Sequence, residues 1–397
     1  MTATSETTET SGQVVALARG MRELVLAEAA ESERQRTLTP AIVDEMWATG
    51  LMSAMSPVAA GGVEPSFAEM IETWIEMAWQ DGSFGWIGIA NLPSTFAAAT
   101  YLPDEGFAEI FTRNNNHITI GGQYFPNGQG TVVDGGYRLN GAWSFGSGTG
   151  HSAYIGAGFF PMDNGEMRWV SEGIPDMRVA FLPREEVNFT DGWHVQGLKG
   201  TGSYDYNVAD VFVPEYRTMP LFAREPFRGS SAASRMGLMP ITAAGHASFA
   251  LGVAKSMLDD VEELAATKVR MSDMATLASR QTFQKGLAHH VAAWRAARLL
   301  VIDAFSTAEA AVEAGNDLTP QLRADMRVAA VYATDTARAA AEWAHLAAGT
   351  TAIREGSRLE RAFRDIYTGT QHAFISEKIA MDVAQIWLGI IEDQFGL

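Results

Sequence analysis

From Val14 to about Thr112 the apolar residues recur every three to four positions, the period of helices with one buried face. Boundary signals sharpen that reading. Thr39-Pro40 reads as an N-cap and first-turn pair with Gly50 as the stop, and Ser66 with Glu69 forms a capping box ahead of Phe67, Met70, Ile71, Trp74 and Ile75. From His117 to about Pro214 the texture changes to short runs between glycine turns: Thr131-Val-Val, Tyr137-Arg-Leu, Tyr154 to Phe160, Arg178 to Leu182 and Val208 to Val213. Asp134-Gly135-Gly136 between the first two is a hairpin signal, and the block predicts a compact antiparallel barrel or sandwich. After Met236 the helical period returns in Pro240 to Thr267, Arg280 to Glu313, Thr319-Pro320 to Ala347, and Ser357 to the C-terminus, the last opening on a Ser357-to-Glu360 capping box. Long amphipathic helices with short connections predict an antiparallel four-helix bundle. The expected fold is α+β and multidomain: a disordered tail over 1–13, an N-terminal helical domain over 14–116, a central β domain over 117–228 and the bundle over 229–397.

Composition narrows the chemistry. The chain has 397 residues, enough for several such units around a substantial core, and 47% of them are hydrophobic. A formal net charge of -18 argues against nucleic acid or an anionic membrane as partner, since both need clustered Lys and Arg. The absence of cysteine removes disulfides, thiolate metal sites and a Cys nucleophile together. The opening MTATSETTETSG lacks the basic and apolar regions of a secretory signal, and no run approaches the roughly 18 to 20 uninterrupted apolar residues of a membrane helix. A cytoplasmic location is expected. His289 and His290 are neighbours on a predicted helix, so their rings diverge and cannot share one ion; no metal is expected. Gly-x-Ser-x-Gly in a strand-turn-helix setting and Walker-type phosphate loops are both missing.

Several anchors, spread from about Ala16 to Gly389, together carry a resemblance. Gly141-Ala-Trp-Ser-Phe-Gly-Ser-Gly148, Gly197-Leu-Lys-Gly-Thr-Gly-Ser203 with the strand through Val208 and Val211-Phe-Val-Pro214, Arg280 with Phe283-Gln284 and Leu287-Ala288, and Arg361 to His372 resemble the acyl-CoA dehydrogenase superfamily. The glycine run at 197–203 neither follows a parallel strand nor opens a helix, so a dinucleotide-binding reading is rejected. By the resemblance Phe145 flanks a flavin ring and Ser147 hydrogen-bonds its N5, with Gly148, Thr201 and Gln371 nearby. Residues i and i+2 of a strand share a face, which suits the Phe145 and Ser147 pair. The resemblance also implies that Arg280 approaches the flavin phosphate of a neighbouring subunit, in a homotetramer built as a dimer of dimers.

Where the dehydrogenases read Tyr-Glu-Gly-Thr, this chain reads Tyr367-Thr368-Gly369-Thr370. Threonine cannot remove a proton alpha to a thioester at neutral pH, and the start of the first bundle helix, Ser234 to Met239, carries no carboxylate in its place. Arg364, Asp365, Gln371 and His372, with Ser147-Gly148-Thr-Gly-His151, instead resemble the oxygenase components of two-component flavin monooxygenases. That resemblance implies reduced flavin, FMNH2 or FADH2, delivered by a separate NAD(P)H:flavin reductase. It further implies dioxygen added at C4a, Ser147 holding N5 and His372 beside the resulting hydroperoxide. A dehydrogenase-like flavoprotein with a relocated base, and a non-catalytic scaffold, are the alternatives. Phenol hydroxylases of the group carry a histidine after the Gly-Trp pair and a serine before the Pro-x-Gly turn. Here Gly85-Trp86 is followed by Asn91, and Gln123 precedes Pro126-Asn-Gly128. Asn and Gln bind but do not act as bases, so with Trp86 they imply a larger polycyclic substrate, or an amine or sulfur centre, over a simple phenol.

Overall fold

The computed structural model describes residues 12–271, 274–394 and 396. The expected tail lies outside these residues except for Gly12 and Gln13, and Gln13 already opens the first helix. Six helices come first: α1 (Gln13–Gly20), α2 (Arg22–Gln35), α3 (Pro40–Ala48), α4 (Phe67–Gln80), α5 (Gly82–Tyr101) and α6 (Asp104–Ile110). Ser66 caps α4 by accepting from the Glu69 amide, but Glu69 does not close the box; its carboxylate accepts instead from the Val14 amide at 2.7 Å and ties α1 to α4. Asp81 is the whole connection between α4 and α5. Its carboxylate accepts from the amides of Ser83 at 2.9 Å and Phe84 at 3.2 Å.

Ten strands follow: β1 (Ile120–Val133), β2 (Gly136–Gly146), β3 (Tyr154–Asp163), β4 (Glu166–Met167), β5 (Trp169–Ser171), β6 (Ile174–Pro175), β7 (Arg178–Pro183), β8 (Asn188–Thr190), β9 (Tyr204–Pro214) and β10 (Thr218–Pro220). The main sheet has the order β10-β7-β3-β1-β2-β9-β8, with β4 paired to β3. The expected Asp134-Gly135 hairpin joins β1 to β2. Two features differ from expectation. β1 and β3 run parallel at the centre of an otherwise antiparallel sheet, and the two end strands do not pair with each other, so the described strands form an open path. The parallel pair is possible because β2 leaves β1 as a hairpin on one side while the long turn after Gly146 carries the chain back to the other. β1 also leaves its register with β3 between Gln123 and Gly128, which frees Tyr124 to Asn127 from the ladder.

The remaining helices are α7 (Ala232–Met236), α8 (Leu238–Thr267), α9 (Gln281–Glu313), α10 (Pro320–Ala348), α11 (Arg358–Gly369) and α12 (Glu377–Trp387). The segment expected to run unbroken from Ser357 is interrupted after Gly369, where a short turn at Ala373–Ile375 separates α11 from α12. The Ser357 capping hydrogen bond does not form. Two residues account for the break. Thr370 bonds back to the Ile366 carbonyl at 2.7 Å, and the His372 ring accepts from the Phe374 amide at 3.2 Å, starting a new turn in a new direction.

One large hydrophobic core runs through the helices and takes in Ile120, Val179 and Phe181 from the sheet; a second lies within the sheet around Tyr137, Trp143 and Phe159. A buried polar joint locks α11 to the glycine loop at 197–200: the Leu198 amide donates to the Asp365 carboxyl at 2.6 Å, and Arg364 donates to the Gln196 carbonyl at 2.8 Å while pairing with Glu33 at 2.6 Å. Arg364 and Asp365 are therefore scaffold in this structure. Burial, and then the neighbouring Asp81 charge, push Asp365 up to about 8. The folded chain thus keeps a proton that the unfolded chain releases between pH about 4 and about 8, so this contribution to stability declines as pH rises through that window. Asp365→Asn should remove the slope, on the order of 1 kcal/mol per pH unit, while Asp365→Ala should lose about 1–3 kcal/mol at pH 7. Denaturant titrations across that pH range check both.

Candidate active site

Six segments converge on a cavity of about 580 Å³. α5 supplies Trp86, Ile89 and Pro93; the bulge of β1 supplies Gln123 to Asn127; the end of β2 supplies Phe145 and, just beyond, Ser147. α8 adds Leu238, Met239, Thr242 and His246, α10 adds Arg327, and the turn between α11 and α12 adds His372, Ala373 and Phe374. No Asp or Glu lies on this wall among the described residues.

Ser147 stands where the sheet meets the helices. Its hydroxyl oxygen accepts from the Trp86 indole N–H at 2.9 Å and from Ser203 at 3.2 Å. Both acceptor positions are filled, so the hydroxyl hydrogen remains to be given away. Trp86 in turn lies against Phe249 edge-on and against α11 at Gly369, where an added Cβ would stand 2.3 Å from the Phe249 ring and 2.9 Å from Trp86. Only glycine lets α11 approach this closely. Phe145 is 64% exposed, has a left-handed backbone at φ 62° and meets Trp193 edge-on. The alternation expected between Phe145 and Ser147 does not hold through this bulge, yet both reach the cavity. A bulky side chain kept exposed on strained backbone points to a role at the site.

His372 and His246 lie tilted against each other at 32° with ring centroids 4.2 Å apart, and Trp86 lies 6.1 Å and 5.3 Å from them. Solvent reaches His372 through the open cavity, but protein surrounds the ring elsewhere. Desolvation, then the charge of Arg327, push it down to about 4, so it is neutral at physiological pH. Because its Nδ1 accepts from the Phe374 amide, the neutral ring carries hydrogen on Nε2. His246 is buried and held well below the usual range by desolvation, then by His372 and Arg327. Its Nδ1 has no hydrogen-bond partner.

The other expected site residues lie elsewhere. Asn91 does not line the cavity: its amide donates to the Ile120 carbonyl at 2.6 Å and to Ser152 at 3.3 Å, and its oxygen accepts from His151 at 3.1 Å. It packs under Gly148, whose φ of 73° disfavours a side chain and where an added Cβ would stand 2.3 Å from the Asn91 amide. Gln123 does reach the cavity, but its oxygen is spent on the Phe125 amide at 2.8 Å. Thr201 is fully buried, bonded to Ser203 at 2.7 Å, and so stands one residue behind Ser147. Gln371 is exposed and bonds to the Tyr367 carbonyl; Arg280 is the N-cap residue of α9; neither lines the cavity. Thr368 also points away, its hydroxyl bonded to the Arg364 carbonyl at 2.8 Å.

A profile described as the C-terminal domain of acyl-CoA dehydrogenases matches residues 244–377. The oxygenase subunit HsaA, a flavin-dependent monooxygenase of Rhodococcus jostii, is 28% identical over 87% of this chain and 90% of its own. The indole-3-acetate monooxygenase of Pseudomonas putida is 30% identical over 94% of this chain and 92% of its own. The chain belongs to the flavin-dependent monooxygenases. The fold agrees: the solved structure of XiaF from Streptomyces, in complex with FADH2 and glycerol, superposes with a TM-score of 0.88 at 22% identity, covering 97% of each chain.

For this monooxygenase, sequence reasoning missed His246 and Arg327. Both signals were present. His246 sits in the Ala-rich run Ile-Thr-Ala-Ala-Gly-His-Ala, and Arg327 falls on the apolar stripe of Ala324, Ala330, Val331 and Thr334. A charged residue on a buried stripe needs a reason. Gly369→Ala should cost about 1–3 kcal/mol by forcing Trp86 off Ser147, and should lower activity with it; thermal denaturation together with turnover checks this, and an unchanged Tm would show that α11 can yield.

Proposed function

We propose that the cavity holds reduced flavin against an aromatic or polycyclic small molecule and directs one atom of dioxygen into it. The composition of the wall carries this reading: Phe145, Ser147, Trp86 and His372 surround one cavity on which, among the described residues, no carboxylate stands. Abstraction of a proton alpha to a thioester needs a base of suitable strength, and neither neutral histidine with so low an affinity for protons supplies it. A non-catalytic scaffold leaves the exposed, strained Phe145 unexplained.

The residues present fit the cofactor. Phe145 would serve as a shelf for the flavin ring and the free Ser147 hydrogen as a donor to it, with Gly148 and Thr201 fixing Ser147 from behind. When bound, reduced flavin, FMNH2 or FADH2, supplies the two electrons that dioxygen reduction requires. A separate NAD(P)H:flavin reductase would deliver it. His372, neutral and hydrogen-bearing at Nε2, would donate to the oxygen being transferred and recover its proton afterwards. Phe125, Phe222 and Phe374 keep the wall apolar and limit water. The helices after Met236 would act as a four-helix bundle in which α11 and α12 share the fourth place, assembling a homotetramer in which Arg280 meets the flavin phosphate of a neighbouring copy. Gln371, exposed beside His372, would join that contact. Asn91 would act on substrate only through the Gly148 turn, whereas Trp86 and Gln123 would touch it directly.

His372→Ala should cut product formed per reduced flavin by at least about tenfold and raise hydrogen peroxide release correspondingly, with reduced-flavin binding retained. Ser147→Ala should also raise peroxide release. Unchanged coupling in the His372 variant, measured by product and peroxide yields, would remove His372 from the mechanism.

A further inference from the structure

Among the described residues, the cavity holds a charge without a counter-ion. Arg327 is 3% exposed in the middle of α10 and lines the cavity beside His246 and His372. Its Nη2 donates to the Phe374 carbonyl at 3.1 Å, and its guanidinium lies 3.9 Å from the centre of the Phe374 ring. Nε and Nη1 have no hydrogen-bond partner, and no carboxylate of the described residues pairs with the group. Burial pushes Arg327 down only to about 10, so it stays charged at neutral pH. Buried guanidinium groups are ordinarily matched by carboxylates, because an unmatched one carries the full desolvation cost. Several partly buried arginines of this chain do pair: Arg22 with Glu76, Arg217 with Glu109, Arg358 with Asp260 and Arg361 with Asp81, while half-buried Arg184 donates instead to the carbonyls of Thr149 and Ser152. Arg327 has neither a carboxylate nor partners for Nε and Nη1 among the described residues, and it lies on the cavity wall.

We infer that the missing counter-ion arrives with the substrate: Arg327 binds the carboxylate of an aromatic acid, whose ring lies in the apolar space lined by Trp86 and Phe374. This deepens the oxygenase reading and rests on it for the word substrate. A planar guanidinium fork matches a carboxylate, and the Phe374 ring on its face leaves the edge donors for that anion. The anion would also offset the positive charge that Arg327 imposes on His372, coupling substrate binding to the residue beside the transferred oxygen.

Calorimetric titration of the full-length, flavin-free chain tests this, because no flavin anion is then available to occupy Arg327. Indole-3-acetate and its uncharged counterpart indole-3-acetamide serve as probes. The unmodified chain should bind the acid about 10–100-fold more tightly than the amide, as charge-assisted hydrogen bonds are worth about 1.5–3 kcal/mol. Arg327→Met should abolish the preference, and Arg327→Lys should retain part of it. Arg327→Met should also leave the ligand-free Tm unchanged or raised, since it removes an unmatched buried charge; a purely structural arginine would lower it. Equal affinity for the two probes, failure to bind the acid, or a preference surviving in Arg327→Met overturns the proposal. Separate measurement of reduced-flavin binding distinguishes failure of the oxygenase reading, which leaves the acid preference intact.

Discussion

The hydrogen bond from the Trp86 indole to Ser147 is the joint on which the site depends. It links α5, in the helical layer, to the residue where β2 ends, and it holds only because Gly369 lets α11 pass against the other edge of the same indole. The break after Gly369 then turns the chain so that His372 lies beside His246 and faces the opening. Sheet, first helices and last helices therefore meet at one aromatic side chain, and the cavity is the space left around that meeting.

The electrostatics of that space favour the proposed oxygen transfer. Its walls carry two histidines kept neutral by burial and by Arg327, one buried cation and, among the described residues, no acid. A neutral imidazole that already holds hydrogen at Nε2 is a donor without being a strong acid. The Arg327 charge helps keep that imidazole neutral, and its Nε and Nη1 are the donors the proposed anion would meet. Removing an alpha proton demands the opposite arrangement, a basic group near its working pH.

Helix and strand periods made the order of helices, sheet and helices legible, because each follows from side chains every three to four or every two positions. The parallel pairing of β1 with β3 was not legible, since strand period says nothing of which neighbour a strand takes. Neither was the break after Gly369, where Thr370 and His372 satisfy the backbone locally against a helical pattern that continues. Within the site, Trp86, Phe145, Ser147 and His372 came from motif resemblance and do meet, whereas Asn91, Gly148, Thr201, Gln371 and Arg280 stand behind or away from the wall. Asn91 illustrates the limit: its position on α5 was plain, but its use by Ile120, Ser152 and His151 depends on contacts remote in sequence. His246 and Arg327 failed to register because histidine and arginine on helices are so often unremarkable, and their sequence signals gain weight only once polar atoms of each are seen buried without partners.

The structure and its relatives describe an enzyme that uses flavin to place oxygen on a small molecule rather than to withdraw hydrogen from one. The most direct test supplies the purified chain with reduced flavin, isotopically labelled dioxygen and an aromatic acid, and follows the label by mass spectrometry. One labelled oxygen atom in the organic product is the predicted result. A product that has lost two hydrogens and gained no label from dioxygen would contradict the account.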